Sequence, residues 1–516
     1  MLQFEKRESN SSPADRRRHG VYISYAYTAV QVIVNFLYVP IVLSTIGQEE
    51  YGIYQTVGSV MVYVVSINSV LAAGVGRYYS MYKAEGDERM MENTLAVAKR
   101  LYWILSVAAI LLILLFIPCF RSVYSGSLTD SQLDECAAML VVMVMNAVVT
   151  FNNTVNVAAI NANERFVFLR LVSMAMLVAQ PFIILVVARI WPRAAVIACV
   201  ILATNIIGAS LQKVYARNIL HVRCTFHGWD RKLVRGLLVF SSGVVLVTVA
   251  DQIFWSSSNL VIAFFYGAGP VAVFAVGAQV YKAYLSVGTG VSGVFFQRVS
   301  ELYHRDHDMA AVSALFIKVA RIAFLACSLV LGGFIVLGRD FIFIWAGNGF
   351  EDAYLVAVVV MIPLTVDLIQ NLGLTILQVM DRYYFRGIVY FVLALVNVGI
   401  SIFLVPKFGI IAAALSSGAC MLVGNGLVMN FYYWRVIGID IPSFWKEILQ
   451  LAAPFAAATL VSFIAYWSSP FNHGSVSVFV AGGLFYLVIF FVFMWFFGMN
   501  DYEKGQVRRL LGRFER

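Results

Sequence analysis

Charge is what this chain has least of. Of its 516 residues only 13% are Asp, Glu, Lys or Arg, against about 25% in a soluble domain. Apolar residues reach 61% and mean hydropathy is +0.82, so lipid is the solvent these residues suit. Cysteine is scarce too. Six thiols, Cys119, Cys136, Cys199, Cys224, Cys327 and Cys420, show no C-x-x-C spacing and mostly sit in or near apolar runs. Small buried hydrophobes explain them better than metal or redox chemistry. A disulfide between Cys119 and Cys136, both near one face, is the one pairing left open. Catalytic signatures are missing as well: there is no G-x-x-x-x-G-K-[ST], no H-E-x-x-H and no G-x-S-x-G. That removes the usual marks of an ATPase, a zinc protease and a serine hydrolase, and no resident cofactor or metal is expected. His304-Arg305-Asp306-His307-Asp308 holds metal-capable side chains, but it occupies a short polar turn and reads as a solvated loop. A cleavable leader is not expected either, because Met1 to Gly20 is polar and basic and the apolar run after it is too long for an h-region.

What the chain does have is apolar segments, most of them long enough for the ~20-residue helix that crosses a bilayer. Segments 1–6 fall at about 21–45, 53–80, 101–121, 134–160, 171–190 and 195–217. Segments 7–12 fall at about 237–265, 271–297, 312–338, 354–378, 387–405 and 409–433. Segments 13 and 14 follow near 448–467 and 476–497. This predicts an all-α polytopic membrane protein with 14 transmembrane helices. Its parts would be a cytoplasmic tail (1–19), an N-lobe (20–217), a linker (218–235), a C-lobe (236–433), segments 13 and 14 (434–497) and a basic tail (498–516). The net charge of +9 does not point to nucleic acid, because the basic residues collect on one side. Of the 37 Lys and Arg, only Arg121, Arg189, Arg193, Arg339 and Lys407 fall in outer connections; Lys282 lies within a segment and the other 31 are in inner connections and their flanks. Such a bias puts both termini in the cytoplasm.

The chain also repeats itself. A shift of 221 positions carries Arg77, Tyr82, Asp87 and Arg100 onto Arg298, Tyr303, Asp308 and Arg321. At 217, Glu164-Arg165-Phe166-Val167-Phe168 meets Asp381-Arg382-Tyr383-Tyr384-Phe385, and at 220 Gly47 meets Gly267. At 218, Gly208, Tyr215 and Arg217 meet Gly426, Tyr433 and Arg435. Near-constant offsets at separated points imply a duplicated unit. Six segments per unit is an even number, so the two lobes enter the membrane alike and are expected to be related by a pseudo-two-fold along the membrane normal. Segments 13 and 14 have no counterpart.

Ionisable residues inside segments are the first functional candidates, since each costs at least ~2.5–3.5 kcal/mol in lipid. Lys282 lies midway along segment 8, one turn after Gln279, and is suited to hold a phosphate or pyrophosphate headgroup. The bland reading pairs it with Asp251 or Asp367. Those two carboxylates are also candidates for proton or sodium coupling. Arg77 and Arg298, equivalent in the repeat, fit either a cytoplasmic mouth that attracts an anion or snorkelling anchors. Gln31 and Asn35 in segment 1, and Asn146, Asn152, Asn153 and Asn156 in segment 4, suit a wet cavity or helix glue, glue being the commoner use. Pro40, Pro181, Pro363 and Pro454 predict bends. Ser241-Ser242-Gly243 and Ser256-Ser257-Ser258 predict a flexible or broken segment 7, a natural gate.

Pro40, the turn Ile46-Gly47-Gln48-Glu49-Glu50-Tyr51-Gly52-Ile53-Tyr54, the Arg77 to Asp87 loop and the second turn Tyr266-Gly267-Ala268-Gly269-Pro270-Val271-Ala272-Val273-Phe274 carry a resemblance. The chain resembles the polysaccharide-transporter branch of the MOP superfamily, the Wzx-type flippases of O-antigen and capsule units, over nearly its whole length. That resemblance implies a two-lobed V with a cationic cavity and alternating access. It implies a substrate of undecaprenyl-pyrophosphate-linked oligosaccharide at a bacterial inner membrane, with membrane lipids and a polymerase of the same pathway as partners and a monomeric transporter. Two departures stand out. Asn259 occupies a position where that branch often carries an acid, and segment 1 lacks the arginine of the related lipid II flippases. A multidrug antiporter of the same superfamily is the alternative within transport. A membrane glycosyltransferase would need a large outer loop, and the outer connections here are short.

Overall fold

The computed structural model describes residues 13–292, 295–305, 308–470, 474–505 and 508. Among them there is no strand, and nearly every residue is helical. In an apolar solvent only helices and closed barrels satisfy every backbone N–H and C=O, and the long apolar segments choose the helix. Twelve helices among the described residues are long and apolar enough to cross a membrane. One of them is double. The helix Pro13–Glu85 carries segments 1 and 2 and turns at Gly47, whose φ of 81° and ψ of 177° no helix contains. The helix Arg231–Tyr266, outside those twelve, runs unbroken through segment 7, so the serine and glycine clusters do not interrupt it. Serine and glycine lower helix propensity by at most about 1 kcal/mol per residue, too little to break a long apolar helix.

The break falls elsewhere. Segment 10 is split into Asp352–Ile369 and Leu372–Val379 by a turn at Gln370 and Asn371. Segment 12 begins as Ile410–Met421 and continues in wider π-helical turns over Leu422–Met429 and Tyr433–Ile437. The segment of helix before the linker begins at Ala194, and segments 13 and 14 form Ile441–Trp467 and Val476–Phe493. All six thiols are free, Cys119 and Cys136 included. Of the polar cluster at 304–308, Asp306 and His307 lie outside the described residues, and Asp308 caps the next helix by accepting from the Ala311 N–H at 2.8 Å.

Contacts divide the chain into two compact units, Met1–Ala272 and Val273–Arg516. In the first, segment 7 packs along the helix Pro13–Glu85, meeting Ser59 and Tyr78 of segment 2. Just beyond segment 7, at the start of the next helix, the Ala268 carbonyl comes so close to Gly52 that a Cβ there would overlap it. In the second, segments 9, 12, 13 and 14 share a core of Phe316, Tyr433, Phe444, Tyr486 and Phe490.

Local features recur at the repeat offsets. Asp87 accepts from the Met90 N–H at 2.9 Å and Asp308 from the Ala311 N–H at 2.8 Å. Gly47 and Gly267 have φ values of 81° and 76°, and Glu164 and Asp381 have 56° and 55°. Phe168 stacks on Tyr215 with centroids 3.7 Å apart, and Phe385 on Tyr432 at 4.0 Å.

Candidate transport site

The first unit places its amides in a ladder centred on segment 4. Asn146 accepts from Asn205 at 2.7 Å and Asn153 donates to Gln212 at 2.6 Å, both across to segment 6. Asn152 donates to Ser106 of segment 3 at 3.3 Å, and Thr154 donates to Asn68 of segment 2 at 2.9 Å. These bonds join helices, which is the glue reading. Room is left on both sides of the ladder. A cleft of 290 Å³ opens between segments 1, 4, 5 and 6, lined by Tyr27, Gln180, Asn205 and Gln212 among others. A second, of 360 Å³, lies between segments 3, 4 and 6 with Lys99 and Lys213 in its wall. Asn153 borders both, so one amide row both glues and lines.

In segment 1, Gln31 is half-buried and Asn35 exposed; neither lines these two clefts. Arg77 is exposed at the end of segment 2. Asp251 is half-buried in segment 7. Asn259 is buried and donates to Ser59 at 2.9 Å. An amide there joins segment 7 to segment 2 without adding a charge.

In the second unit, Lys282 is exposed on the helix Ala268–Ser292, with Gln279 half-buried one turn before it. No described carboxylate of this unit lies within ion-pair distance of Lys282. Asp367 is engaged elsewhere. Its Oδ1 lies 3.5 Å from an Arg386 guanidinium nitrogen and accepts from the Tyr390 hydroxyl at 3.3 Å. Arg386 also donates to Tyr390 at 3.0 Å, and Asn425 donates to the same hydroxyl at 2.9 Å. This polar knot ties segments 10, 11 and 12 together, and it holds an arginine that the sequence reading missed. Arg386 stands one residue before the apolar run 387–405, but the helix begins at Tyr383, so its side chain belongs to the helix rather than to the loop. A carboxylate in segment 10 facing an arginine across so tight a turn was the signal. Arg298 is exposed and pairs within its own turn, with Glu301 at 3.2 Å. The described residues contain no cluster fit to hold a metal ion.

Residues 18–303 match the polysaccharide biosynthesis protein family. The chain belongs to that family. No curated protein sequence matches it. Among solved structures, this polysaccharide biosynthesis protein is similar to the lipid II flippase MurJ in an inward closed conformation, with a TM-score of 0.70, 13% identity, and 92% of this chain and 98% of that one covered. It is also similar to an inward-facing multidrug resistance MATE transporter of the MOP superfamily, at a TM-score of 0.62 and 15% identity over 80% of this chain and 96% of that one. A MOP superfamily transporter from Pyrococcus furiosus matches at a TM-score of 0.53 and 13% identity, over 82% of this chain and 94% of that one. The family member thus has the MOP transporter fold and is a multi-pass membrane protein.

Proposed function

We propose that this protein is a flippase, not an enzyme, that moves an undecaprenyl-pyrophosphate-linked oligosaccharide from the inner to the outer leaflet of a bacterial inner membrane by alternating access. The observation that carries this reading is Lys282. It is a cation midway along an apolar helix, exposed, with no described carboxylate of its unit beside it. A compact ammonium there supplies charge-assisted hydrogen bonds to a pyrophosphate, with Gln279 one turn away and Arg298 attracting the anion at the cytoplasmic end of segment 8. The polyprenyl tail stays in lipid beside segments 13 and 14, where a mostly apolar cavity of 440 Å³ is lined by Tyr466, Ala481, Gly482 and Phe485.

In this reading fourteen segments cross the membrane, counting both limbs of Pro13–Glu85 and the helix Arg231–Tyr266, and both termini are cytoplasmic. Asp367 is held by Arg386 and Tyr390; Asp251 and Asp367 are both proposed as proton or sodium sites, as acids within apolar segments.

The test is flipping of a pyrophosphate-linked oligosaccharide in proteoliposomes. Lys282→Ala is expected to lower the rate at least about tenfold while Lys282→Arg retains part of it, because a lost charge-assisted bond costs ~1.5–3 kcal/mol. Asp251→Asn should remove the response to an imposed ion gradient but keep headgroup binding. Unchanged flipping in Lys282→Ala would make the lysine structural. Drug efflux without flipping would move the protein to the antiporters, and flipping of lipid II alone to the lipid II flippases.

A further inference from the structure

The cleft between segments 3, 4 and 6 plays no part in that transport reading. Its 360 Å³ are lined by Lys99, Trp103, Asn153, Asn156, Lys213 and Cys224, among others. Lys99 and Lys213 come from two different helices and are both exposed. Neither has a described carboxylate within ion-pair distance. The nearby acid is already used, since Glu92 meets the His227 ring at 3.3 Å. Two cations without a described ion-pair partner give the cleft a positive wall.

The surroundings decide which anion suits it. Around the cleft, segments 3 and 6 each expose apolar side chains: Trp103 at 54%, Ile104 at 59%, Val107 at 50%, Ile206 at 46% and Ile207 at 50%. Apolar side chains this open on a membrane helix face lipid, and an exposed tryptophan beside lysines marks the headgroup level. The floor is hydrogen-bonding amide. The third wall is the linker, which is fastened in place: Asn93 donates to the Gly228 carbonyl at 3.1 Å and accepts from the His227 N–H at 2.9 Å, and the Arg100 guanidinium lies 3.2 Å from the centre of the Phe226 ring. That fastening sets Cys224 at the rim.

We propose that this cleft binds the phosphate headgroup of an anionic membrane phospholipid, with its acyl chains lying along the exposed faces of segments 3 and 6. Lys99 and Lys213 hold the phosphate from two sides, and Ser210 and the amides meet the glycerol oxygens. The site is on the linker end of the bundle. It rests on the proposed topology only in placing that end in the inner leaflet.

Cys224 reports occupancy directly. In a chain that keeps Cys224 as its sole cysteine, reconstituted in nanodiscs, an uncharged maleimide is expected to label it more slowly with phosphatidylglycerol present than in pure phosphatidylcholine. Combining Lys99→Gln with Lys213→Gln should abolish the protection, each lysine accounting for about fivefold in lipid affinity. Lys446→Gln, a lysine far along the chain, should leave it intact. Native mass spectrometry of the natural chain checks the same point without cysteine replacement: the double variant should retain fewer phosphatidylglycerol molecules. Equal labelling in the two lipids, or protection that survives the double variant, would overturn the proposal. Protection by inorganic phosphate in phosphatidylcholine discs would replace it with a soluble-anion site. Because neither readout involves transport, failure here is separate from failure of the flippase reading.

Discussion

At the scale of single residues, the distinction that matters is between a charge with a partner and a charge without one. Asp367 and Arg386 are 19% and 13% exposed in their side chains and share Tyr390. Removing one member leaves the other desolvated. Arg386→Met should therefore lower stability by an amount near the lower end of the ~3–5 kcal/mol known for broken buried pairs. Adding Asp367→Asn should recover part of it, since two neutral side chains strand no charge. Thermal unfolding of the purified protein in detergent would measure both; a double variant no more stable than the single one would argue that the knot acts through its hydroxyl bonds alone. Asp367 was legible in the sequence as an intramembrane acid, but its partner was not, because a helix boundary misplaced by four residues put Arg386 outside the apolar run.

At the scale of elements, two fastenings hold the parts that lack a counterpart or a core of their own. Arg321 is one of the most buried charges, at 4% exposure. It donates to both carboxylate oxygens of Glu503, at 2.7 and 2.9 Å, and to Glu447 at 2.7 Å. One guanidinium thereby joins segment 9, the start of segment 13 and the residues after segment 14. Its planar fork suits this bidentate grip, which a lysine cannot reproduce. Arg321→Ala should cost ~3–5 kcal/mol by stranding the buried Glu503, and should expose the chain after Gly498 to a protease that leaves the natural protein uncut there. The repeat equivalent, Arg100, fastens the linker by stacking on Phe226 instead.

That linker has its own pH dependence. Glu92 is held below the ordinary carboxylate value of 4.5, first by the Thr225 hydroxyl and then by a hydrogen bond and charge from His227. A carboxylate with a depressed value stabilises above its ordinary value and ceases to as pH falls through the lowered one. Limited proteolysis at Arg223 should thus accelerate as pH drops below 4.5. Glu92→Gln should make cleavage faster at neutral pH and remove most of that dependence.

For the whole molecule, the prediction concerns orientation. The 37 Lys and Arg are so unevenly divided between the connections that both termini and the linker are expected on the cytoplasmic side. Single cysteines placed in the linker and in the turn after Tyr266 should be labelled from opposite sides of sealed, right-side-out vesicles by an impermeant maleimide. Labelling from the same side would break the fourteen-segment reading at segment 7.

Composition alone determined that the solvent is lipid, and a lipid solvent leaves the backbone little choice but helices, so the all-helical architecture was contained in the apolar segments. The offsets in the sequence likewise determined the recurring turns. A glycine at 47 and again at 267 adopts one left-handed conformation because only glycine adopts it without strain, and Asp87 and Asp308 cap helices because a short carboxylate reaches the free N–H groups of the next turn. Those are local properties, fixed by neighbours in the chain. What only the tertiary structure decided is which polar groups meet. Asp367 turned to Arg386, Asn153 to Gln212 and Arg321 to Glu503, while Lys282, Lys99 and Lys213 met no carboxylate among the described residues of their own units. A buried polar group must find a partner in three dimensions, and partners 19, 59 and 182 residues away leave no periodic mark in the sequence.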